Sequence, residues 1–306
     1  MSKTSQKTII EKINFKGVGL HNGVEVNLSI KPSEPNTGII FKRLDIEDEN
    51  IIHANFKNVV EPILCTKIKN TKGVSISTVE HLMAAFYGEG IDNAIVEVDA
   101  SEIPIMDGSA VDFVDAIRSV GVEEQNAPRK FVKVLKKVEV RDGKKFISIE
   151  PLDQDLIIDF EIIFNNPLIR TRREEFKLSD GDLTKIYNSR TFCLYEEIDN
   201  IKRMGLAKGG SLDNAIVVQG SKILNEDGLR NRHEFVYHKI LDCLGDIMLS
   251  GNRLFGHIKT SQGGHALTNK LLVKFFSDKA NWSLETFDNT ENKNKNSYKN
   301  PVAIGA

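Results

Sequence analysis

The stretch RHEFVYHKILDCLGDIMLSG, residues 232–251, decides how this chain is read. It has no proline, and its apolar residues recur three and four apart, so it predicts one long helix. On a helical wheel His238, Asp242 and Asp246 fall within about 80° of each other, and Gly245 joins their face. Val236, Ile240, Leu244 and Ile247 lie roughly opposite and would anchor the helix to a core. The polar line has two readings. It is a solvated face carrying a His–Asp pair one turn apart, worth about 0.2–0.5 kcal/mol. Alternatively, a neutral imidazole and a carboxylate one turn apart converge on a divalent cation. HxxxD supplies two ligands, whereas a catalytic zinc takes three protein ligands and keeps one position open. The third must come from elsewhere in the chain.

His81, in STVEHLMAAF, directly follows Glu80. A glutamate beside a metal-binding histidine can take a proton from activated water. Ser77-x-x-Glu80 is also a capping box, so Glu80 equally reads as a helix cap and His81 as an ordinary histidine of the first turn. His265, in QGGHAL, follows two glycines at the start of a helical pattern. It reads as a mobile acid/base or phosphate contact, or as a turn residue. His21 sits in a hairpin turn, and His257 alternates within a strand.

Around these motifs the chain reads as strands followed by helices, twice over. TIIEKINFKGVGL and VEVNLSI flank HNG, where Asn22-Gly23 predicts a type I′ hairpin. GIIFKRLD and NAIVEVD are further strands, and STVEHLMAAFYGEG and SAVDFVDAIRSVG are helices. The polar stretch EEQNAPRK marks a boundary. After it come strands FVKVLKKVEVRDG, KKFISIEP and LIIDFEIIF, helical GDLTKIYNSR, the long helix, strand LFGHIKTSQ and helix HALTNKLLVKFFSD. The expectation is an α+β protein with two domains, residues 1–127 and 128–285, each a β-sheet layered against helices, with the active site between them. Residues 286–306 contain the Asn/Lys-rich run ENKNKNSYKNP and read as a disordered tail.

Composition narrows the function classes. The 306 residues are 40% hydrophobic with a formal net charge of −2, which does not favour a nucleic-acid or membrane-surface binder. No apolar run reaches the ~20 residues that span a bilayer, and the N-terminus lacks a signal-peptide core. Cys65, Cys193 and Cys243 form no CxxC pair, which fits a reducing cytoplasm. Two classes stay open on these residues alone: a metal-dependent hydrolase, and a binding module with a closed structural metal or none.

GVGLHNG, LCT, STVEHLMAA, EIPIMDGSA, SRTF, GGSLDNAIVV, NEDGLRNRHEFVYHKILDCLGD and GGHALTNKLL occur in that order. Together, from about residue 7 to 285, they resemble the UDP-3-O-acyl-N-acetylglucosamine deacetylase family of lipid A biosynthesis. The resemblance implies a zinc-dependent amide hydrolase that removes the N-acetyl group from UDP-3-O-(3-hydroxyacyl)-N-acetylglucosamine and releases acetate. It implies one Zn²⁺ per chain, for which Fe²⁺ can substitute. By matching motifs the metal ligands are His81, His238 and Asp242. Glu80 is the general base, His265 the cationic general acid, Asp246 the residue that orients and charges it, and Thr191 an oxyanion partner.

The same matching puts Lys239 and Phe192 near the sugar and nucleotide, and Phe164 against uracil. An insert of about residues 193–218 would form the acyl passage, with Ile198, Ala215 and Val217 in its lining. An acyl chain held in such a groove, at about 0.8 kcal/mol per buried CH₂, needs no membrane insertion. The implied setting is the cytoplasm of a Gram-negative bacterium, with the protein as a monomer, the UDP-linked acylated glucosamine as substrate, and no nucleic acid.

Overall fold

A computed structural model describes residues 4–287. The part of the tail from residue 288 onward lies outside the described residues, while Thr286 closes the strand Trp282–Thr286. Six helices are present among the described residues: α1 (Glu80–Glu89), α2 (Val111–Val120), α3 (Thr184–Tyr187), α4 (Ile198–Arg203), α5 (Glu234–Met248) and α6 (His265–Ser277). With five sheets they make an α+β fold.

Ile13–Val18, Glu25–Pro32, Ala94–Val98, Ile39–Arg43 and Ile51–His53 form, in that order, a five-stranded sheet. Its residues alternate as a one-sided sheet requires. Val26, Leu28 and Ile30 are buried while Glu25 and Asn27 are exposed. Ala94, Val96 and Val98 are likewise buried. The second half builds a seven-stranded sheet around Arg253–Ser261, which is buried along most of its length. This strand pairs antiparallel with Lys145–Glu150 and parallel with both Lys130–Val134 and Leu156–Ile163. Helix α5 packs on Leu156–Ile163, α6 on Val138–Asp142, and α1 lies against α5. The buried apolar side chains of both halves form one continuous cluster.

Four local readings are corrected. Asn22-Gly23 is not a two-residue type I′ turn. The strands stop at Val18 and Glu25, only Gly23 of the pair has a positive φ, of 71°, and a longer loop spans them. That loop is braced by Glu102, whose carboxylate accepts the His21 and Asn22 backbone N–H groups at 2.8 Å each. TIIEKINFKGVGL divides into Ser5–Ile9 and Ile13–Val18, which belong to different sheets. Most of the polar stretch EEQNAPRK is no break: Val122–Pro128 is a strand antiparallel to Ser5–Ile9. Its polar side chains hid a two-stranded ribbon. Finally, Ser77 and Glu80 do not form a capping box. Val79 is the N-cap residue and no side chain caps the helix, because the Glu80 carboxylate accepts the Thr66 N–H at 3.1 Å instead.

Candidate metal centre and catalytic cleft

The polar line on α5 is buried, not solvated: His238, Asp242 and Asp246 are each 3–4% exposed. What covers it is the first turn of α1. Gly245 makes that approach possible, since a Cβ there would lie 2.0 Å from the Glu80 carbonyl oxygen. Just before α1, Thr78 adopts φ 58°, a conformation costly for a β-branched residue by about 1–3 kcal/mol. Its hydroxyl is tied to Glu102 at 2.8 Å. The strained turn and the missing side chain at 245 together bring Glu80 and His81 onto the carboxylate face of α5.

His81 thereby joins His238 and Asp242. One ligand atom of each lies within 4.8 Å of the others. Asp242 Oδ1 stands 3.5 Å from His81 Nε2 and 3.4 Å from His238 Nε2, and the two imidazoles meet edge to face. His238 Nδ1 lies 3.0 Å from the Ser189 carbonyl, which can only accept, so Nδ1 carries the proton and Nε2 presents its lone pair. Burial, against the pull of Asp242, lowers the His238 pKa to about 3, so the ring is neutral. Asp242 Oδ2 accepts from Lys239 Nζ at 2.6 Å, whereas its buried Oδ1 has no hydrogen-bond partner. Although burial opposes ionisation of Asp242, the Lys239 ammonium beside it holds its carboxyl well below the usual range. Two imidazole nitrogens and an unanswered anionic oxygen fit a divalent cation. A second trio, Asp159, Glu175 and His257, differs in that Arg173 already engages both Asp159 oxygens.

Beside this triad, Glu80 Oε1 lies 3.6 Å from His265 Nε2. On the ring's other side Nδ1 meets Asp246 Oδ2 at 2.9 Å. Burial would lower the His265 pKa, but Asp246 and Glu80 outweigh it and raise it to about 9. Burial also pushes the Glu80 carboxyl up, with His265 and His81 opposing. The arrangement is a cationic imidazole and a proton-accepting carboxylate on either side of one small space.

That space opens into a cleft of about 600 Å³ lined from both halves of the chain, with Leu20, His21 and Ile105 facing Phe164, Thr191 and Phe192. Lys239, Glu80, His81, His238, Asp242 and His265 also line it. Asp246 stands behind His265, outside the lining. Phe164 and Phe192 meet at 5.6 Å, and Phe192 packs on Phe235 of α5. Ile198, Ala215 and Val217 do not reach this cleft; Ala215 and Val217 are nearly buried. The insert is a strand–helix–strand unit in which Phe192–Leu194 and Ile216–Gln219 pair in parallel around α4.

Several contributors escaped sequence reading. Thr66, in the quoted LCT, has its hydroxyl 2.5 Å from Asp246 Oδ1 and 3.0 Å from His265 Nδ1, and its N–H on Glu80. Ser189 acts through a carbonyl, which no side-chain motif announces. Glu102 stood inside EIPIMDGSA, where nothing in its spacing set it apart.

A buried His₂Asp donor set with an acidic and a basic partner beside it defines the class: a mononuclear metal-hydrolase type of site. Comparison with known sequences carries this further. Residues 6–277 match the family model of LpxC, UDP-3-O-acyl N-acetylglycosamine deacetylase. The chain is 44% identical over 289 residues to a UDP-3-O-acyl-N-acetylglucosamine deacetylase of Actinobacillus succinogenes, covering 94% of each chain. It is 43% identical to those of Haemophilus influenzae and Pasteurella multocida, again over 94% of each. The chain belongs to the UDP-3-O-acyl-N-acetylglycosamine deacetylase family.

Proposed function

We propose that this chain hydrolyses the N-acetyl amide of UDP-3-O-(3-hydroxyacyl)-N-acetylglucosamine in lipid A biosynthesis, using one Zn²⁺ held by His81, His238 and Asp242. The observation that carries this reading is the convergence of those three side chains around a buried Asp242 oxygen that no donor answers. A divalent cation there supplies Lewis acidity, which acidifies water toward neutral pH and polarises an amide carbonyl.

The protein's own residues divide the remaining work. Glu80 accepts the proton of the water as its oxygen bonds to the carbonyl carbon. Thr191 and the cationic His265 offset the negative charge that develops on the carbonyl oxygen; one such donor is worth roughly 2.7–4 kcal/mol. As the C–N bond breaks, His265 gives its proton to the departing nitrogen, and acetate and the free amine leave. Asp246 and Thr66 hold His265 for this step, and Lys239 holds the outer oxygen of Asp242. Phe164 and Phe192 present ring surface for the nucleotide and sugar.

The reading treats residues 1–127 and 128–285 as two units with the cleft between them. It assigns the acyl chain to the insert of residues 193–218 with Ile198, Ala215 and Val217, where Tyr195, Met204 and Leu212 are about half exposed. The chain works as a monomer in the cytoplasm of a Gram-negative bacterium, without nucleic acid or membrane insertion. No helix among the described residues is long and apolar enough to cross a membrane.

The test is Glu80→Gln. The variant is expected to bind one Zn²⁺ while deacetylation falls about 10²–10⁴-fold. Undiminished turnover would remove Glu80 from its role.

A further inference from the structure

The segment from Ser101 to Ile105 runs between two walls of the site. On one side Glu102 bridges Ser77 in parallel; the Ser77 N–H donates to the Ser101 carbonyl and the Ile103 N–H to the Ser77 carbonyl, at 3.0 Å each. On the other side Pro104 bridges Gly19, and the Ile105 N–H donates to the Val18 carbonyl at 2.9 Å. Glu102 is thereby placed to reach both the turn that starts α1 and the loop after Val18.

Glu102 is 1% exposed, and its carboxylate meets three neutral donors. Oε1 accepts the His21 N–H and the Thr78 hydroxyl, and Oε2 accepts the Asn22 N–H, each at 2.8 Å. Gly19 leaves it room, since a Cβ there would lie 2.7 Å from Oε2. A buried carboxylate is costly without its donors, and buried donors are costly without their acceptor, so the three contacts depend on one another.

The contacts lead to different parts of the site. Thr78, held at φ 58°, stands just before the N-cap residue Val79 and the ligand His81. Its tie to Glu102 fixes the turn that sets His81 Nε2 against Asp242. In the loop, the Leu20 and His21 carbonyls accept the N–H groups of Gly209 and Lys208 at 3.0 and 3.2 Å, so the insert of residues 193–218 rests there. Leu20 and His21 also line the cleft, whereas Glu102 does not, so Glu102 works through the groups it holds.

We propose that Glu102 is a positioning residue that ties the turn before His81 to the loop under the insert, so that one buried carboxylate sets both the metal ligand and the acyl side of the cleft. The acyl arm rests on the function proposed above; the metal arm requires only that a cation binds His81, His238 and Asp242.

The metal arm is tested by the zinc affinity of the full chain, chelated and then titrated against a competing chelator at a temperature where each variant is folded. Thr78→Val keeps the shape of the side chain and removes the donor, and Thr78→Ser keeps the donor. Affinity is expected to fall roughly 10–100-fold in Thr78→Val, the range for partners behind metal ligands, and to recover in Thr78→Ser. In Glu102→Gln the amide NH₂ must face either the His21 or the Asn22 N–H, donor against donor, which opens the loop arm. This variant is expected to bind zinc more weakly as well. Adding Thr78→Val to it is expected to cost less than in the parent chain, because hydroxyl and carboxylate act as a pair. Its kcat/KM is expected to fall further for the acylated UDP-sugar than for UDP-N-acetylglucosamine.

Parent-like zinc affinity in Thr78→Val, equal losses in Thr78→Val and Thr78→Ser, or additive losses in the double variant would overturn the tie. An equal fall in kcat/KM for the two sugars would overturn the acyl arm. If the parent turned over neither sugar, the proposed function and the acyl arm with it would fall, while the zinc comparison would still decide the tie. The two Thr78 variants decide it even if Glu102→Gln does not fold.

Discussion

Asp246 and Glu80 face His265 from opposite edges of its ring, and the two carboxylates set its charge. A histidine whose folded pKa is raised from 6.5 to about 9 stays cationic through neutral pH. Its pairing contributes stability that is fully present below about pH 6.5 and is lost as pH rises through about 9. If the cation is the proton donor, kcat falls along the same alkaline limb. Asp246→Asn removes the nearer counter-charge, so the limb of the kcat profile is expected to move to lower pH; a limb that stays in place would contradict the role given to Asp246.

At this scale the sequence was half legible. His238, Asp242 and Asp246 align on one wheel because helical spacing is local. That His81 completes the set is a tertiary fact, and spacing alone left it readable as an ordinary histidine at a helix start. Thr66 was silent because threonine is common, and its work depends on which carboxylate and imidazole the fold sets beside it.

The contact between α1 and α5 is the element on which the site depends. Gly245 has no Cβ where the Glu80 carbonyl comes closest. Gly245→Ala is expected to force the helices apart and to cost about 1–3 kcal/mol, the usual range for overpacking. Zinc affinity should fall with it, since His81 moves away from His238. A thermal melt and a zinc titration on this variant measure both effects; unchanged metal affinity would mean the close approach is incidental. Long periodic segments such as α5 and α2 were readable because one apolar stripe spans several turns. Thr171–Lys177 was not, since Phe176 is its one buried side chain and the rest is mostly charged. The strand Val122–Pro128 was hidden for the same reason: a ribbon with wet faces shows no apolar alternation.

For the whole molecule, α5 and α6 pack on the seven-stranded sheet, α1 lies against α5, and the cleft takes its walls from both halves. The α+β class followed from element order, but a single core cluster running through both halves did not, because the sequence shows which residues are apolar and not which ones meet. A cation held by His81, His238 and Asp242 would draw its ligands from α1 and α5 and so clamp the two halves. A metal present at about 1,000 times its Kd adds about 4.1 kcal/mol to stability, and the chelated protein is expected to melt lower and to regain its Tm with Zn²⁺. The acyl reading makes a separate demand: UDP-N-acetylglucosamine lacking the acyl chain should be a far poorer substrate, and equal kcat/KM for the two would remove the insert from recognition.

The most direct measurement is a titration of Zn²⁺ into the fully chelated chain, following deacetylation of the acylated UDP-sugar and bound metal together. Activity is predicted to rise from near zero to its maximum at one equivalent, and His238→Ala to show neither tight binding nor recovery. Full activity in the chelated protein, or recovery in His238→Ala matching the parent, would contradict a cation held by His81, His238 and Asp242.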